Sequence, residues 1–203
     1  MVATTHLTIT ALTKILIGKI ERRIKMRQIV KTINAYTFDE LNDSAKSNAM
    51  MTISDKIADW NSWWEPVMEQ QKDFLSQIGL EDAEISFSLA YVQGDYCNIK
   101  CENVDVEKLM KFIDPHKEIV DWEAEEITVE FRTDHHNTVT LYASTDDEKY
   151  DKLDKALSNW LYDMEQSFYD DYRKEWEYYT SEESIADLCE CRKYEFDEDG
   201  ELL

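Results

Sequence analysis

Four cysteines, two adjacent histidines and one glycine turn are the residues of this chain whose types and spacing most readily do chemistry. Cys97-x3-Cys101 and Cys189-x-Cys191 would supply four thiolates to zinc, but zinc knuckles usually place turn-forming residues between their ligands. Here Cys97 and Cys101 fall inward on a strand-like stretch, while Cys189 and Cys191 fall on different sides of a helical one. The reading is therefore buried, reduced thiols in a chain without a convincing secretory signal. His135-His136 stands beside Asp134 with no third ligand at a useful spacing, which reads as a solvated hairpin loop. Gln93-Gly94-Asp95 lacks both the glycine pattern and the lysine of a phosphate loop. It reads as a turn whose glycine takes a positive φ. Carboxylate pairs such as Glu125-Glu126 and Asp170-Asp171 are too frequent here to nominate an acid and a base. No nucleophile elbow, HExxH, kinase set or dinucleotide fingerprint is present. No catalytic residue, metal ligand or cofactor site is nominated, and the expectation is a protein that is not an enzyme.

The second kind of chemistry is recognition by charge. The chain has 44 acidic and 22 basic side chains in 203 residues, a net of −22, yet 43% of it is apolar and 12% aromatic. A chain with that apolar content builds a core, so the charge belongs to a folded exterior. Such an exterior repels nucleic acid and anionic membrane and attracts basic surfaces. Residues 146–203 hold 20 acidic and seven basic groups. Asp151, Asp154, Asp163, Glu165, Asp170, Asp171, Glu175 and Glu177 occupy positions off an apolar stripe in that region. A helix rises 1.5 Å per residue, and duplex DNA carries one charge per roughly 1.7 Å, so a carboxylate row on a helix can imitate a phosphate backbone. The alternative is that an acidic face simply keeps a small protein soluble. Trp63 joins these acids as a candidate interaction residue. Trp60 and Trp64 lie one helical turn apart and Trp63 is displaced by about 100°, so Trp63 is the candidate interface anchor. Core packing of all three indoles is the competing reading.

The elements that must position these groups follow from periodicity. Thr37 to Glu40 has capping-box spacing, and Leu41, Ala45, Ala49, Ile53 and Ile57 continue at helical intervals to about Asp59. Pro66 suits the first turn of a second helix, which Gly79 stops. Ile85, Phe87, Leu89 and Tyr91 alternate, as do Cys97, Ile99 and Cys101 after the Gly94 turn, which predicts a hairpin. Asp105 to Ile113 reads as a short helix ended by Asp114-Pro115. Ile127, Val129 and Phe131, with Val139 and Leu141, predict a second hairpin. Thr145 and Glu148 form another capping pair before a stripe from Tyr150 to Tyr179 with no internal Gly or Pro. Thr180 and Glu183 open a last helix to about Cys191, and Tyr194 to Phe196 is strand-like. The sum is an α+β fold: a small antiparallel sheet of about four or five strands packed by helices, with a long amphipathic C-terminal helix. Four Gly and two Pro leave no flexible linker, which predicts one domain over residues 26–203.

Residues 1–25 differ from the rest, with five basic groups against Glu21 alone. Leu7 to Ile20 is too short and too charged to span a bilayer. Glu21-Arg22-Arg23-Ile24-Lys25-Met26 has the form of a translated purine-rich ribosome-binding site, so residues 1–25 are expected to be a non-native or disordered leader. Without them the net charge becomes −26, from 17 basic and 43 acidic groups.

Tyr36-Thr37-Phe38-Asp39-Glu40-Leu41, Ala45-Lys46, Trp63-Trp64, Phe87-Ser88 and Gln93-Gly94-Asp95 together form a pattern. With Tyr172 to Ser181 and the ending Tyr194-Glu195-Phe196-Asp197-Glu198-Asp199-Gly200, it resembles a family of small acidic bacteriophage proteins, some labelled antitoxin-like. The resemblance covers Met26 to Leu203, with Tyr96 standing where such proteins usually carry a small residue. It implies a phage or prophage origin and a host-cytoplasm location, and carries no established activity. The expected function is that of a phage-encoded, non-enzymatic accessory protein. Its acidic, DNA-mimic-like surface would bind a basic host protein and inhibit a nucleic-acid-handling defence protein, with no direct nucleic-acid or membrane partner. An antitoxin-like protein neutralising one cognate toxin is the alternative. A small enzyme built on the Gln93 to Tyr96 turn is a third class.

Overall fold

The N-terminal capping box forms as its spacing predicts, but it caps a single 3-10 turn rather than the first helix. Thr37 N–H donates to Glu40 Oε2 at 2.8 Å, and the turn covers Phe38–Glu40 before Leu41 becomes extended. A second cap then starts the helix proper, where Ser44 and Ala45 donate their amides to Asn42 Oδ1 at 3.0 and 3.1 Å. Helix α1 is Asp43–Asp59, burying Ala45, Ala49, Ile53 and Ile57. The computed structural model describes residues 32–59, 62–90, 94–133, 139–143 and 150–203. The expected leader, Trp60, Gln93, the Asp134–His136 loop and the Thr145–Glu148 cap lie outside them.

Pro66 sits in the first turn of α2, Glu65–Gln77. Gly79 ends the turn after it at φ +99, where a Cβ would stand 2.6 Å from Asp105 O. Helix α3, Val106–Ile113, is capped by Asp105, which accepts the Lys108 amide at 3.0 Å. Helix α4, Asp151–Tyr179, is the long amphipathic element, and α5, Glu182–Arg192, follows with Ser181 rather than Thr180 as its cap.

The strands depart from the expected single sheet. Among the described residues they form three antiparallel pairs, not one sheet of four or five. Strand β1, Leu80–Glu81, pairs with β4, Asn103–Val104, and β2, Glu84–Ser88, pairs with β3, Tyr96–Lys100. Leu80 faces Val104 and Glu84 faces Lys100, so both pairs share one register and are two parts of a single hairpin. Asp82, at φ +59, breaks the ladder between them. The Cys101 thiol fills the break by donating to Glu81 O or Asn103 O, at 2.9 and 3.1 Å. Strands β5, Val129–Thr133, and β6, Val139–Ala143, form the second hairpin.

Helix α4 supplies the reason the hairpins do not merge. The Ile99 amide of β3 donates to Glu165 Oε1 at 2.9 Å, and the Ala143 amide of β6 donates to Asp154 Oδ1 at 2.6 Å. Carboxylates from one helix thus take backbone donors that a neighbouring strand would otherwise pair.

Two apolar clusters fill residues 35–203, which make one compact unit. The larger joins α2, α3, α4 and the hairpins around Leu75, Ile99, Leu109 and Leu157. The smaller joins α1, α5 and the C-terminal segment around Ile53, Ile185 and Phe196. Trp64, Phe87 and Leu89 pack against both. The C-terminal segment is a strap: Tyr36 and Phe196 exchange backbone hydrogen bonds at 2.8 and 2.9 Å, and Asn48 Nδ2 donates to Asp199 O at 3.0 Å.

The stop after α3 is also built by a carboxylate. Asp114 is 3% exposed, and its oxygens accept the amides of Glu118, Ile119 and Val120 at 2.8, 3.1 and 3.4 Å. Asp114→Ala leaves those donors without their acceptor and is expected to lower unfolding free energy by about 2 kcal/mol. Chemical denaturation reads this directly, and a change below about 0.5 kcal/mol would show that water replaces the carboxylate.

Candidate functional site

The acidic row of α4 is less uniform than its sequence. Asp151 and Asp163 are exposed, as expected of surface acids. Asp154 is half-buried on the Ala143 amide. Arg173 lies 3.5 Å from Asp170 and 3.6 Å from Glu177, and Lys174 lies 3.7 Å from Asp171. Of the row's eight carboxylates, Asp170, Asp171 and Glu177 share two basic neighbours and Asp154 and Glu165 are turned to backbone amides, leaving exposed Asp151 and Asp163 and half-buried Glu175.

Glu165 corrects the expectation outright. It is 7% exposed, on the inward stripe of α4 with Leu161, Phe168 and Tyr172, and presents no charge to a partner. Burial pushes its carboxyl up to about 7, only partly offset by the Ile99 amide. The signal was present, because Leu153, Leu157, Leu161 and Glu165 fall at four-residue intervals. Beside it, burial first and the Glu165 charge second push the Cys97 thiol up to about 12. Gln71 donates to Phe168 O at 3.4 Å, and Tyr172 stacks on Phe87 with centroids 3.9 Å apart.

Trp63 is the second correction. It is 9% exposed, with its ring 5.3 Å from Trp176 and 6.1 Å from Phe87, so it anchors the core and not an interface. Indole area buried against two aromatic neighbours is worth more inside than at a solvated rim. Trp64 is half-buried against Phe87.

The other sequence candidates resolve into structure. Gly94 adopts φ +120, as the turn reading requires. Asp95 accepts the Ala90 amide at 2.8 Å and the Ser88 and Tyr169 hydroxyls at 3.4 Å, which ties the hairpin tip to α4. Cys97, Cys101 and Cys189 are buried and free, while Cys191 is exposed, against the expectation for all four. Among the described residues no group of three or more His, Cys, Asp or Glu is arranged to hold a metal ion.

One concavity was not legible in the sequence. A groove of about 410 Å³ runs between the Phe38–Glu40 turn and the C-terminal half of α5. Phe38, Ala186, Cys189 and Tyr194 supply its apolar surface, and Asp39, Asp187, Glu190 and Glu195 supply carboxylates, with Lys193 the one basic residue lining it. Burial, then the charge of Asp39, push the Cys189 thiol up to about 11. The two walls are about 150 residues apart in the chain, and the strap through Phe196 brings them together.

The chain matches no known family model, and no curated protein or solved structure matches it. Among the described residues, no helix is long and apolar enough to cross a membrane.

Proposed function

We propose that this protein is a non-enzymatic accessory protein, phage-encoded as its resemblance implies, that binds a basic host protein through its acidic surface. Inhibition of a nucleic-acid-handling defence protein in the host cytoplasm is the concrete form of that reading. The observation that carries it is the placement of exposed carboxylates on short, capped elements. Asp39, Glu182, Glu183, Asp187, Glu190 and Glu195 are all exposed around the 3-10 turn, α5 and the strap. A mimic of phosphate needs charges fixed in space, and backbone hydrogen bonds fix these elements.

The test is binding across a salt series. The immobilised chain is expected to retain a basic nucleic-acid-binding protein at low salt, release it by roughly 0.5 M salt, and displace a labelled duplex from it. A partner that stays bound through that series, or that keeps its duplex, counts against the reading.

The antitoxin-like alternative has one observation in its favour. Phe112 is 45% exposed, with Phe74 and Trp160 edge-on to it at 5.9 and 6.2 Å, forming an aromatic surface cluster suited to a defined apolar interface. Rescue of growth on co-expression with a neighbouring toxic gene, lost in Phe112→Asp, would establish it.

A further inference from the structure

We infer that the groove between the Phe38–Glu40 turn and α5 is the seat of an arginine side chain from that basic protein. The inference rests on the acidic-surface reading and locates its contact. An arginine has an apolar stem and a cationic planar head, and binds best where both are met. The lining meets the stem: half-buried Ala186 and Tyr194 present apolar atoms to the groove, above a base closed by Phe38 and Cys189, which are 3% and 2% exposed. The rim meets the head, with Asp39 and Glu195 on one wall and its continuation and Asp187 and Glu190 on the other.

Two further features select a cation. The groove is lined by the last turns of α5, Glu182–Arg192, and the C-terminal end of a helix carries the negative pole of its dipole. The molecule also makes an equivalent contact internally. Lys46 Nζ stands 5.5 Å from the centroid of the Phe38 ring and 3.7 Å from Glu182 Oε1. A cation against this phenyl ring, held by an α5 carboxylate, is thus an arrangement the chain already adopts. A volume of about 410 Å³ has room for one or two side chains and their hydration rather than a folded segment. An anionic ligand would face four carboxylates against Lys193, which excludes phosphate as the occupant.

The probe is a short Gly-Arg-Gly-Arg-Gly peptide, with a citrulline version of the same length as the neutral isostere, titrated into the full chain labelled with 15N. Amide signals of Phe38, Cys189 and Tyr194 are expected to move with the arginine peptide and not with citrulline. Asp187→Lys with Glu190→Lys is expected to weaken binding about tenfold, while Asp151→Lys with Asp163→Lys, equal in charge change, weakens it less than about threefold. Ala186→Trp fills the groove without altering charge and is expected to abolish the groove shifts. All these positions are solvent-facing or half-buried, and the spectrum itself reports whether the fold survives. Equal weakening by the two charge reversals overturns the groove and leaves the acidic-surface reading standing. Binding that neither reversal alters overturns both.

Discussion

Glu165→Gln is expected to make the protein more stable at pH 8 and to flatten its stability profile between pH 5 and pH 8. The wild-type carboxyl moves from 4.5 to about 7 on folding because it is buried against β3. Between those values the folded state holds a proton that the unfolded chain has released. Stability from this group is therefore fully present below about 4.5, declines as pH rises, and is lost above about 7. The full span corresponds to about 3 kcal/mol. Glutamine keeps an oxygen for the Ile99 amide, which now stands 2.9 Å from Glu165 Oε1, and carries no charge to desolvate. Its NH2 group needs an acceptor, so the gain at pH 8 is expected to be about 2 kcal/mol rather than the whole span. Urea denaturation of both proteins at pH 5, 6.5 and 8 measures the difference. Parallel profiles would show that Glu165 does not titrate in this window, and the many surface carboxylates cancel because both proteins share them.

Gly200→Ala is expected to loosen the C-terminal strap, with a loss of about 3 kcal/mol and a fall of roughly 10 °C in Tm. Gly200 adopts φ +84, and a Cβ there would stand 2.1 Å from Ala45 O. That oxygen is backbone of α1 and cannot turn aside, so the strap must lift. Lifting it strains the Tyr36–Phe196 bridge and draws Phe196, which is fully buried against Phe38, toward solvent. Gly94→Ala is the control. Its φ is +120 but nothing lies within 4 Å of its Cβ position, so only backbone strain is felt, about 1 kcal/mol. Thermal unfolding of the two variants separates steric contact from strain. Equal falls would mean that the strap tolerates displacement from Ala45. The groove depends on the same strap, so Gly200→Ala is also expected to weaken arginine-peptide binding.

The polar layer beneath α4 has a consequence for how the hairpins are read. Alternation of Ile85, Phe87, Cys97 and Ile99 correctly marked a hairpin, and alternation of Val129 and Phe131 marked another. What alternation does not contain is the identity of the next strand. Edge amides are satisfied by whatever acceptor arrives, and here the acceptors are Glu165 and Asp154. The start of α1 failed for a related reason. Thr37 and Glu40 do form the predicted box, yet Asn42 offers a second cap, and the helix begins from the later one.

By itself the sequence determined the number and order of the main helices, the two hairpins, the Gly94 turn and the excess of acidic groups. These depend on local spacing and on counts, which need no neighbour from elsewhere in the chain. Only the tertiary structure decided which acids are surface. The four-residue series sets Glu165 apart from Asp163, but that the fold keeps a carboxylate buried there, on the Ile99 amide of β3, is decided by the packing alone. It also decided that Trp63 is core, because Phe87 and Trp176 arrive from distant segments to cover it. The groove belongs wholly to this second class. Its walls come from the two ends of the folded unit, and no local periodicity records that a C-terminal strap will hold them side by side.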